Sequence, residues 1–205
     1  MIAKLLADKR FYHVLTRIDS DLAAAAQQAG CARCPGVLHC AYYPRKPRGA
    51  PAGLSVEDKR RASFCCAACR KRATPPSVRF LGRRVYLGIV VVLATAMQQG
   101  PAPWRASQLR EVLGVSLQTL ARWRVWWKEV FVESAFWKAA KAAFSPPVDV
   151  TGSPRSLLER FGDVTGSPRS LLERFGGDEF EQLVALLGFV SPLSTPSGYI
   201  PDQRP

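Results

Sequence analysis

The chain has 205 residues, of which 47% are apolar, and its 29 basic side chains outnumber 16 acidic ones to give a net charge of +13. This length and composition suit a soluble globular protein with one or two small domains. The most apolar run, from Val85 to Met97, is shorter than the roughly 20 residues that a membrane-spanning helix needs. The run therefore favours a buried core helix over a membrane span.

The positive charge is concentrated near the start of the chain. Residues 1–90 carry 17 basic and 5 acidic side chains, residues 91–147 carry 7 and 3, and residues 148–205 carry 5 and 8. Clustered Lys and Arg favour a polyanionic partner, because phosphate neutralisation releases counterions. An anionic membrane surface is the rival, but the sequence has no lipidation signal and no separate basic amphipathic helix. Met1 to Asp8 becomes charged too early for a signal peptide, so we expect a cytoplasmic protein without a membrane partner.

Apolar residues at three- and four-residue spacings predict N-terminal helices within residues 1–30. Gly30 is placed to stop the helical segment, which extends over residues 2–29. Ser20 and Asp21 are good N-cap residues, so we expect a break there that divides the segment into two helices. The apolar positions are Ile2, Leu5, Leu6, Val14, Leu15, Ile18 and Leu22.

Two CxxC pairs follow this segment. Cys31 and Cys34 form the first pair, and Cys66 and Cys69 form the second, with 31 residues between the pairs. One tetrahedral zinc ion needs four thiolates from two tight turns, and each pair supplies two. The alternatives are two disulfides, which are typical of secreted chains, or buried free thiols. The pattern predicts a Zn²⁺ site formed by these four cysteines.

The residues beside the pairs agree with a metal site. Pro35 and Gly36 allow the chain to turn beneath the metal, and we expect Gly36 to adopt a positive φ. Arg70, Lys71 and Arg72 follow the second pair, where their charges would offset the net negative charge of a zinc ion with four thiolate ligands. We also assign these three cations to the DNA-binding surface.

Three further residues near the pairs have ligand chemistry. Cys65 lies beside Cys66, and its spacing to Cys69 is possible but less common for a metal knuckle. Cys40 is awkwardly far from Cys34 to complete the same set of ligands. His39 could replace a cysteine, but a single histidine near a knuckle is more often a surface group or a group that hydrogen-bonds to a ligand. We therefore interpret Cys40 and Cys65 as structural thiols.

Residues 31–76 are predicted to form a small zinc ribbon of short strands, because Pro, Gly and charged residues fill the middle of the region. After Thr74 to Ser77, which read as a turn, a helix is expected from about Ser77 to Gln99. This helix would begin a third domain, residues 77–144. The expected fold is mainly α with a small β zinc ribbon.

The third domain contains a helix-turn-helix pattern between Ser107 and Trp123. Gly114 would make the turn, Val115 would fill the corner, and Ser116 would cap the second helix. An ordinary amphipathic helical hairpin is the alternative, and Arg110 disfavours the pattern because such motifs often have a small residue there. Core positions would be Leu109 and Leu113 in the first helix, and Thr119, Leu120, Trp123, Trp126, Trp127, Val130 and Phe131 in the second.

The opposite face of the second helix is small and polar, which suits a helix that reads a DNA groove. Gln118 is the candidate base reader, and Arg122, Arg124 and Lys128 are candidate phosphate or base contacts. The tryptophans nearby could stack on bases, but at this helical spacing aromatic residues are more often core. We interpret them as core.

The last region, residues 145–205, contains a tandem repeat. Residues 149–162 recur without a difference as residues 163–176. Two copies are too few for a solenoid, so the repeat indicates a recent duplication of a short helical unit. An amphipathic helix from Asp178 to Val190 and a disordered Ser/Pro/Thr-rich tail are expected after it. We expect these C-terminal helices to be flexible.

The sequence contains no recognisable arrangement of catalytic residues. It has no phosphate-binding glycine motif, no defensible Ser/His/Asp arrangement, and only His13 and His39 as imidazole bases. The carboxylates are scattered, whereas a two-metal nuclease needs several that converge. The sequence therefore predicts a protein that is not an enzyme.

With its two CxxC pairs, the Arg70-Lys71-Arg72 run and the Leu113 to Ser116 turn, the chain resembles zinc-ribbon/helix-turn-helix DNA-binding proteins associated with bacterial insertion-sequence transposases. The resemblance covers residues 31–131. It implies double-stranded DNA and a transposase as partners, and an accessory role, since no acidic catalytic domain follows. A ribosome- or RNA-associated zinc ribbon and a protein–protein adaptor are the alternatives. The target site and the oligomeric state do not follow from the sequence.

Overall fold

The computed structural model describes residues 9–47, 53–81, 86–87, 107, 110–111, 114–144, 147–149, 154, 156–157 and 178–195. Within these residues the chain is mainly helical with a small antiparallel sheet, as predicted. No helix in them is both long enough and apolar enough to cross a bilayer. The helices are α1 (Lys9–Gln28), α2 (Leu117–Val125), α3 (Ala135–Ala140) and α4 (Asp178–Val190), and the strands are β1 (Leu38–Pro44), β2 (Arg60–Cys66), β3 (Arg72–Ala73), β4 (Phe80–Leu81) and β5 (Tyr86–Leu87).

Helix α1 is one continuous helix, so the predicted break at Ser20 and Asp21 is wrong. The Ser20 hydroxyl donates to the backbone carbonyl of Thr16 one turn earlier, and it therefore sits inside the helix and not at a cap. Gly30 follows the helix with a φ of +76°, which confirms the predicted stop. Residues 2–8 lie outside the described residues. The buried face of α1 consists of Phe11, Tyr12, Leu15, Asp19 and Ala23.

Strands β1, β2 and β3 form one antiparallel sheet in that order. β1 and β2 pair over their full lengths, from Leu38 opposite Cys66 to Pro44 opposite Arg60. One face of this sheet is covered, and Ala23 of α1 packs there with Leu38 and Phe64. The sheet therefore rests on the C-terminal half of α1, beside the start of the first CxxC pair.

The main hydrophobic core collects side chains that are distant in the sequence. Five side chains in one cluster are at most 1% exposed. They are Phe11 and Leu15 of α1, Phe80 of β4, Trp127 just after α2, and Leu186 of α4. These residues lie up to 175 positions apart in the sequence. The first helix and the last helix therefore stabilise the same core.

The predicted helix from Ser77 to Gln99 is wrong at its start. β4 and β5 form a hairpin in which Phe80 pairs with Leu87 and Leu81 pairs with Tyr86. The backbone N–H of Val78 donates to the Asp19 carboxylate at 2.7 Å, which holds the chain in place just before the hairpin. This contact is tertiary, and no local pattern in the sequence indicates it. Residues 88–99 of the predicted helix lie outside the described residues.

The helix-turn-helix region is described in part. Ser107, Arg110 and Glu111 are helical, whereas Leu109 and Leu113 lie outside the described residues. Gly114 turns the chain with a φ of +60°, and its N–H donates to the Arg110 carbonyl at 2.9 Å. Ser116 caps α2 by accepting a hydrogen bond from the N–H of Thr119. Both of these features are as predicted.

Helix α2 continues into a π-helical segment, Trp126–Phe131. Trp123, Trp127 and Phe131 are buried as predicted, but Val130 is 39% exposed although the α-helical pattern assigned it to the core. A π turn contains more residues than an α turn, so the later positions fall out of the α-helical phase. The prediction for Val130 is therefore wrong.

The described residues of the C-terminal segment pack against the main core. Helix α4 has the predicted bounds, and Leu183, Leu186, Leu187 and Val190 are buried in the main core. The expected disorder is wrong for Ser191–Ser194, which forms a 3₁₀ turn with buried residues. Leu157 of the first repeat copy is fully buried in the main core. Residues 163–176, the second copy, and residues 196–205 lie outside the described residues.

Candidate metal centre and basic surface

The two CxxC pairs occupy two turns that face each other. The first pair lies between the end of α1 and β1, and the second lies between β2 and β3. Ala67 N–H donates to the carbonyl of Val37 at 2.9 Å, which ties one turn to the other. Within the second turn, Cys66 N–H donates to the Lys71 carbonyl at 3.0 Å. The β1–β2 pairing and the bond between Ala67 and Val37 fix the separation of the two turns.

The four sulfur atoms lie within 4.8 Å of one another. Sγ of Cys31 is 3.6 Å from Sγ of Cys69, and Sγ of Cys34 is 3.4 Å from Sγ of Cys66. Zinc–sulfur bonds of about 2.3 Å in a tetrahedron place the sulfur atoms roughly 3.8 Å apart. All four cysteines are free thiols, so the two-disulfide alternative does not describe this structure. The site can hold one metal ion.

Backbone amides in both turns point at the sulfur atoms and stabilise thiolates. The N–H of Cys69 is the main cause that lowers the pKa of Cys66 from 9.0 to about 6, against the opposing effect of burial. The N–H of Arg33 similarly lowers the pKa of Cys31. The N–H of Lys71 lowers the pKa of Cys69, but burial and the neighbouring thiols outweigh it and raise that pKa to about 11. The site thus favours some thiolates before any metal binds.

Gly36 is required for a different reason from the one predicted. Its φ is not among the positive values, so the expected left-handed conformation is wrong. A Cβ built on Gly36 would lie 2.6 Å from Sγ of Cys66 and 2.8 Å from Cβ of Ala68. Glycine at this position therefore allows the first turn to approach the second closely.

The positive φ in the metal site belongs to Arg70, with a value of +58°. Its N–H donates to the Cys66 carbonyl at 3.1 Å and closes the turn. A left-handed conformation is uncommon for a residue other than glycine. The side chains of Arg70, Lys71 and Arg72 are exposed and remain available to contact an anionic partner.

The remaining ligand candidates lie outside the cluster. Cys65 and Cys66 are neighbours in β2, so their side chains point to opposite faces of the sheet and cannot share the metal. Cys40 and His39 in β1 are exposed. Among the described residues, only the four predicted cysteines form a group that could hold a metal ion. Cys40 is exposed, which does not agree with the structural role predicted for its thiol.

The predicted DNA-facing side chains are all exposed along one helical rod. Gln118, Arg122 and Arg124 of α2 and Lys128 of the π segment are all exposed. On the other side of the rod, Leu120, Trp123, Trp127 and Phe131 are at most 4% exposed. The aromatic side holds the rod to the core, so its cationic side remains accessible.

A buried polar network was missed by the sequence analysis. Asp19 accepts hydrogen bonds from Arg79 Nε, Ser77 Oγ and Val78 N, and Arg61 donates to Ser194. These residues are distant in the sequence, and their types are common on surfaces. The only signal was Asp19 itself, since it falls on the apolar face of α1 at the spacing of Tyr12, Leu15 and Ala23.

The chain is mainly helical, and two turns at the end of its small antiparallel sheet bring together four cysteines that could hold a metal ion. The chain matches no known protein-family model, no characterised protein and no solved structure.

Proposed function

We propose that this chain is a zinc-dependent, non-catalytic DNA-binding protein that acts as an accessory protein of a mobile element. The observation that carries the proposal is that the rod formed by α2 and the π segment is held by a buried aromatic side, while Arg122, Arg124 and Lys128 are exposed around the rest of it. A positively charged helix face on a fixed support is the element that DNA-binding proteins insert into a groove.

Zinc is the metal that the donor set favours. Four thiolates in a tetrahedron are typical of zinc or iron–sulfur sites, and a closed set without a free position is typical of structural zinc. Bound zinc would fix the turn after α1 to the turn after β2 and would contribute folding energy to the sheet. The metal would then support the DNA-binding surface without taking part in a reaction.

Charge placement supports contact with a phosphate backbone. Ser116 caps α2, and Gln118 lies in the first turn of the helix, where a side chain can reach base edges. Arg122, Arg124 and Lys128 follow along the exposed side. Arg70, Lys71 and Arg72 provide a second group of cations at the metal site. Phosphate contacts position a protein on DNA, and base contacts give it specificity.

The proposal is tested by competition between duplex DNA and structured RNA for the purified, metal-loaded chain at moderate salt. Lys128→Ala should weaken binding to all duplexes and reduce the slope of log affinity against log salt by about one unit. Gln118→Ala should mainly reduce discrimination between sequences. Lys138→Ala is the matched control, because Lys138 on α3 already forms an ion pair with Glu133 at 3.0 Å. Equal effects of Lys128→Ala and Lys138→Ala would contradict the proposal.

RNA binding is the second candidate, and one observation favours it. Tyr42 and Tyr43 of β1 are 51% and 45% exposed, and Lys46 beside them is also exposed. Exposed aromatic rings next to cations can stack on unpaired bases. A clear preference for RNA in the same competition would favour this candidate over duplex DNA.

The mobile-element role and the absence of catalysis have their own tests. Inverted repeats and a transposase reading frame should flank the gene if the chain is an accessory protein of an insertion sequence. Supercoiled DNA incubated with the protein and Mg²⁺ or Mn²⁺ should remain intact. Cleavage that is abolished by changing Glu111, Glu129 or Glu133 would show that the chain is an enzyme.

A further inference from the structure

Arg61 in β2 is a buried cation without a carboxylate partner. It is 6% exposed, and one of its terminal nitrogens donates to the Pro75 carbonyl and to both oxygens of Ser194 at 2.9 to 3.1 Å. None of the ion pairs formed among the described residues includes Arg61, and its Nε has no hydrogen-bond partner there. A buried charge without an ionic partner costs free energy, so we expect an anion to bind beside Arg61.

The surroundings of Arg61 add further positive charge. Burial is the main cause that lowers the pKa of Arg61 to about 10, and Arg45 and Arg79 lower it further, while Asp19 opposes them. Asp19 already forms an ion pair with Arg79 at 2.7 Å. Arg45 is half-buried, and its Nε also lacks a partner among the described residues. Arg61 and Arg79 therefore both lie near the Asp19 carboxylate, and Arg45 adds a further positive charge close to Arg61.

A cleft opens beside these groups. Its lining includes Asp19, Tyr42, Arg61, Ser77 and Arg79. The cleft has room for one oxygen atom of the size of a water molecule. The Phe80 ring lies 5.8 Å from the Arg61 guanidinium carbon and 5.1 Å from that of Arg79, so it supports both cations. Tyr42 is half exposed.

We propose that this cleft binds a phosphate group, with one oxygen inside beside Arg61 and the other oxygens at the opening near Tyr42, where the charge of Arg45 also attracts the anion. Phosphate suits the site better than a carboxylate, because it can bring up to two negative charges and has several acceptor oxygens for guanidinium donors. The phosphate can belong to a nucleic-acid strand or be free in solution. The strand source rests on the proposed function, whereas the free source does not.

The test uses the full metal-loaded chain, with inorganic phosphate as the first probe and sodium chloride at the same ionic strength as its control. Phosphate should raise the melting temperature above the value in chloride. Arg45→Met should weaken phosphate binding about tenfold, because it removes one positive charge close to Arg61. Arg60→Met removes the same charge from an exposed neighbour that, unlike Arg45, is not among the charges acting on Arg61, and it should leave the affinity unchanged.

A second variant protects the test from a folding defect. Arg61→Met removes the bonds to Ser194 and is expected to lower the melting temperature by itself. For this variant we therefore compare only the melting temperature in phosphate with that in chloride. Tyr42→Phe keeps the fold and should weaken phosphate binding less than Arg45→Met does. No difference between phosphate and chloride, or equal weakening in Arg45→Met and Arg60→Met, would overturn the proposal and leave a bound water as the occupant.

Duplex DNA is the second probe and separates the two sources. If Arg45→Met also weakens DNA binding relative to Arg60→Met, the phosphate belongs to a strand. If only inorganic phosphate is affected, the site takes free phosphate. A failed phosphate response together with a normal Lys128→Ala effect on DNA would remove the cleft proposal alone. The reverse pattern would remove the DNA-binding proposal alone.

Discussion

Nε of Arg79 donates to the carboxylate of Asp19 at 2.7 Å, and both side chains are more than nine-tenths buried. The same carboxylate accepts hydrogen bonds from Ser77 Oγ and Val78 N. The guanidinium of Arg79 also donates to the carbonyls of Asp58 and Arg60. This ion pair therefore joins α1, the 3₁₀ turn before β2, and the start of the hairpin.

Asp19→Asn should be strongly destabilising, because it leaves the buried charge of Arg79 without its partner. We expect a loss of about 3–5 kcal/mol in the free energy of unfolding, measured by urea denaturation of the metal-loaded protein. Asp21→Asn is the matched control, since Asp21 is exposed on the same helix. Similar effects of the two substitutions would show that the ion pair does not stabilise the fold.

Metal removal should unfold the sheet. Small ribbons have too little core to fold without their metal, so chelation should abolish the structure of residues 31–76. Cys66→Ser should lose the metal, and Cys65→Ser is a matched control whose side chain lies on the opposite face. Metal content and circular dichroism report the outcome. A stoichiometric metal in Cys66→Ser, or its loss in Cys65→Ser, would contradict the ligand assignment.

Gly36→Ala should weaken metal binding although it adds only one methyl group. The new Cβ would meet Cys66 Sγ at 2.6 Å, so the two turns would have to separate. Gly188→Ala in α4 is the control, because no atom lies within 4 Å of its added Cβ, and alanine should stabilise a helix by about 0.5–1 kcal/mol. Metal affinity and melting temperature are measured for both variants. Normal affinity in Gly36→Ala would show that the turns tolerate separation.

Deleting residues 163–176 should leave metal content, DNA affinity and melting temperature nearly unchanged. Because the two copies are identical, deletion of either one gives the same protein, and that protein keeps one leucine equivalent to the buried Leu157. A loss of more than about 2 kcal/mol in unfolding free energy, the size expected from a deleted core element, would show that both copies are needed. Leu157→Ala is the positive control for a lost core side chain.

Local features of the fold were predictable, and long-range ones were not. The stop at Gly30, the Ser116 cap and the bounds of α4 depend on neighbouring residues, so the sequence pattern contains them. The hairpin at Phe80 depends on Asp19, which is distant in the sequence and binds the chain just before β4. The clustering of the four cysteines followed from their spacing.

The cation cluster was the part of the candidate sites that the sequence did not reveal. Arg61 and Arg79 look like two of many surface cations until the fold buries them beside Phe80. The π segment is a second case, because its extra residue per turn changes which side Val130 occupies. Neither feature has a short-range signature in residue type or spacing.

Strand β2 has Cys66 at one end and Arg61 near the other, and Arg61 donates to Ser194 close to the end of the described chain. One short strand therefore connects the metal site to the C-terminal turn. Where metal binding and C-terminal docking are coupled in free energy, thermodynamic reciprocity requires each to change the equilibrium constant of the other by the same factor. Falling metal availability would then loosen the C-terminal turn, and release of that turn would lower metal affinity.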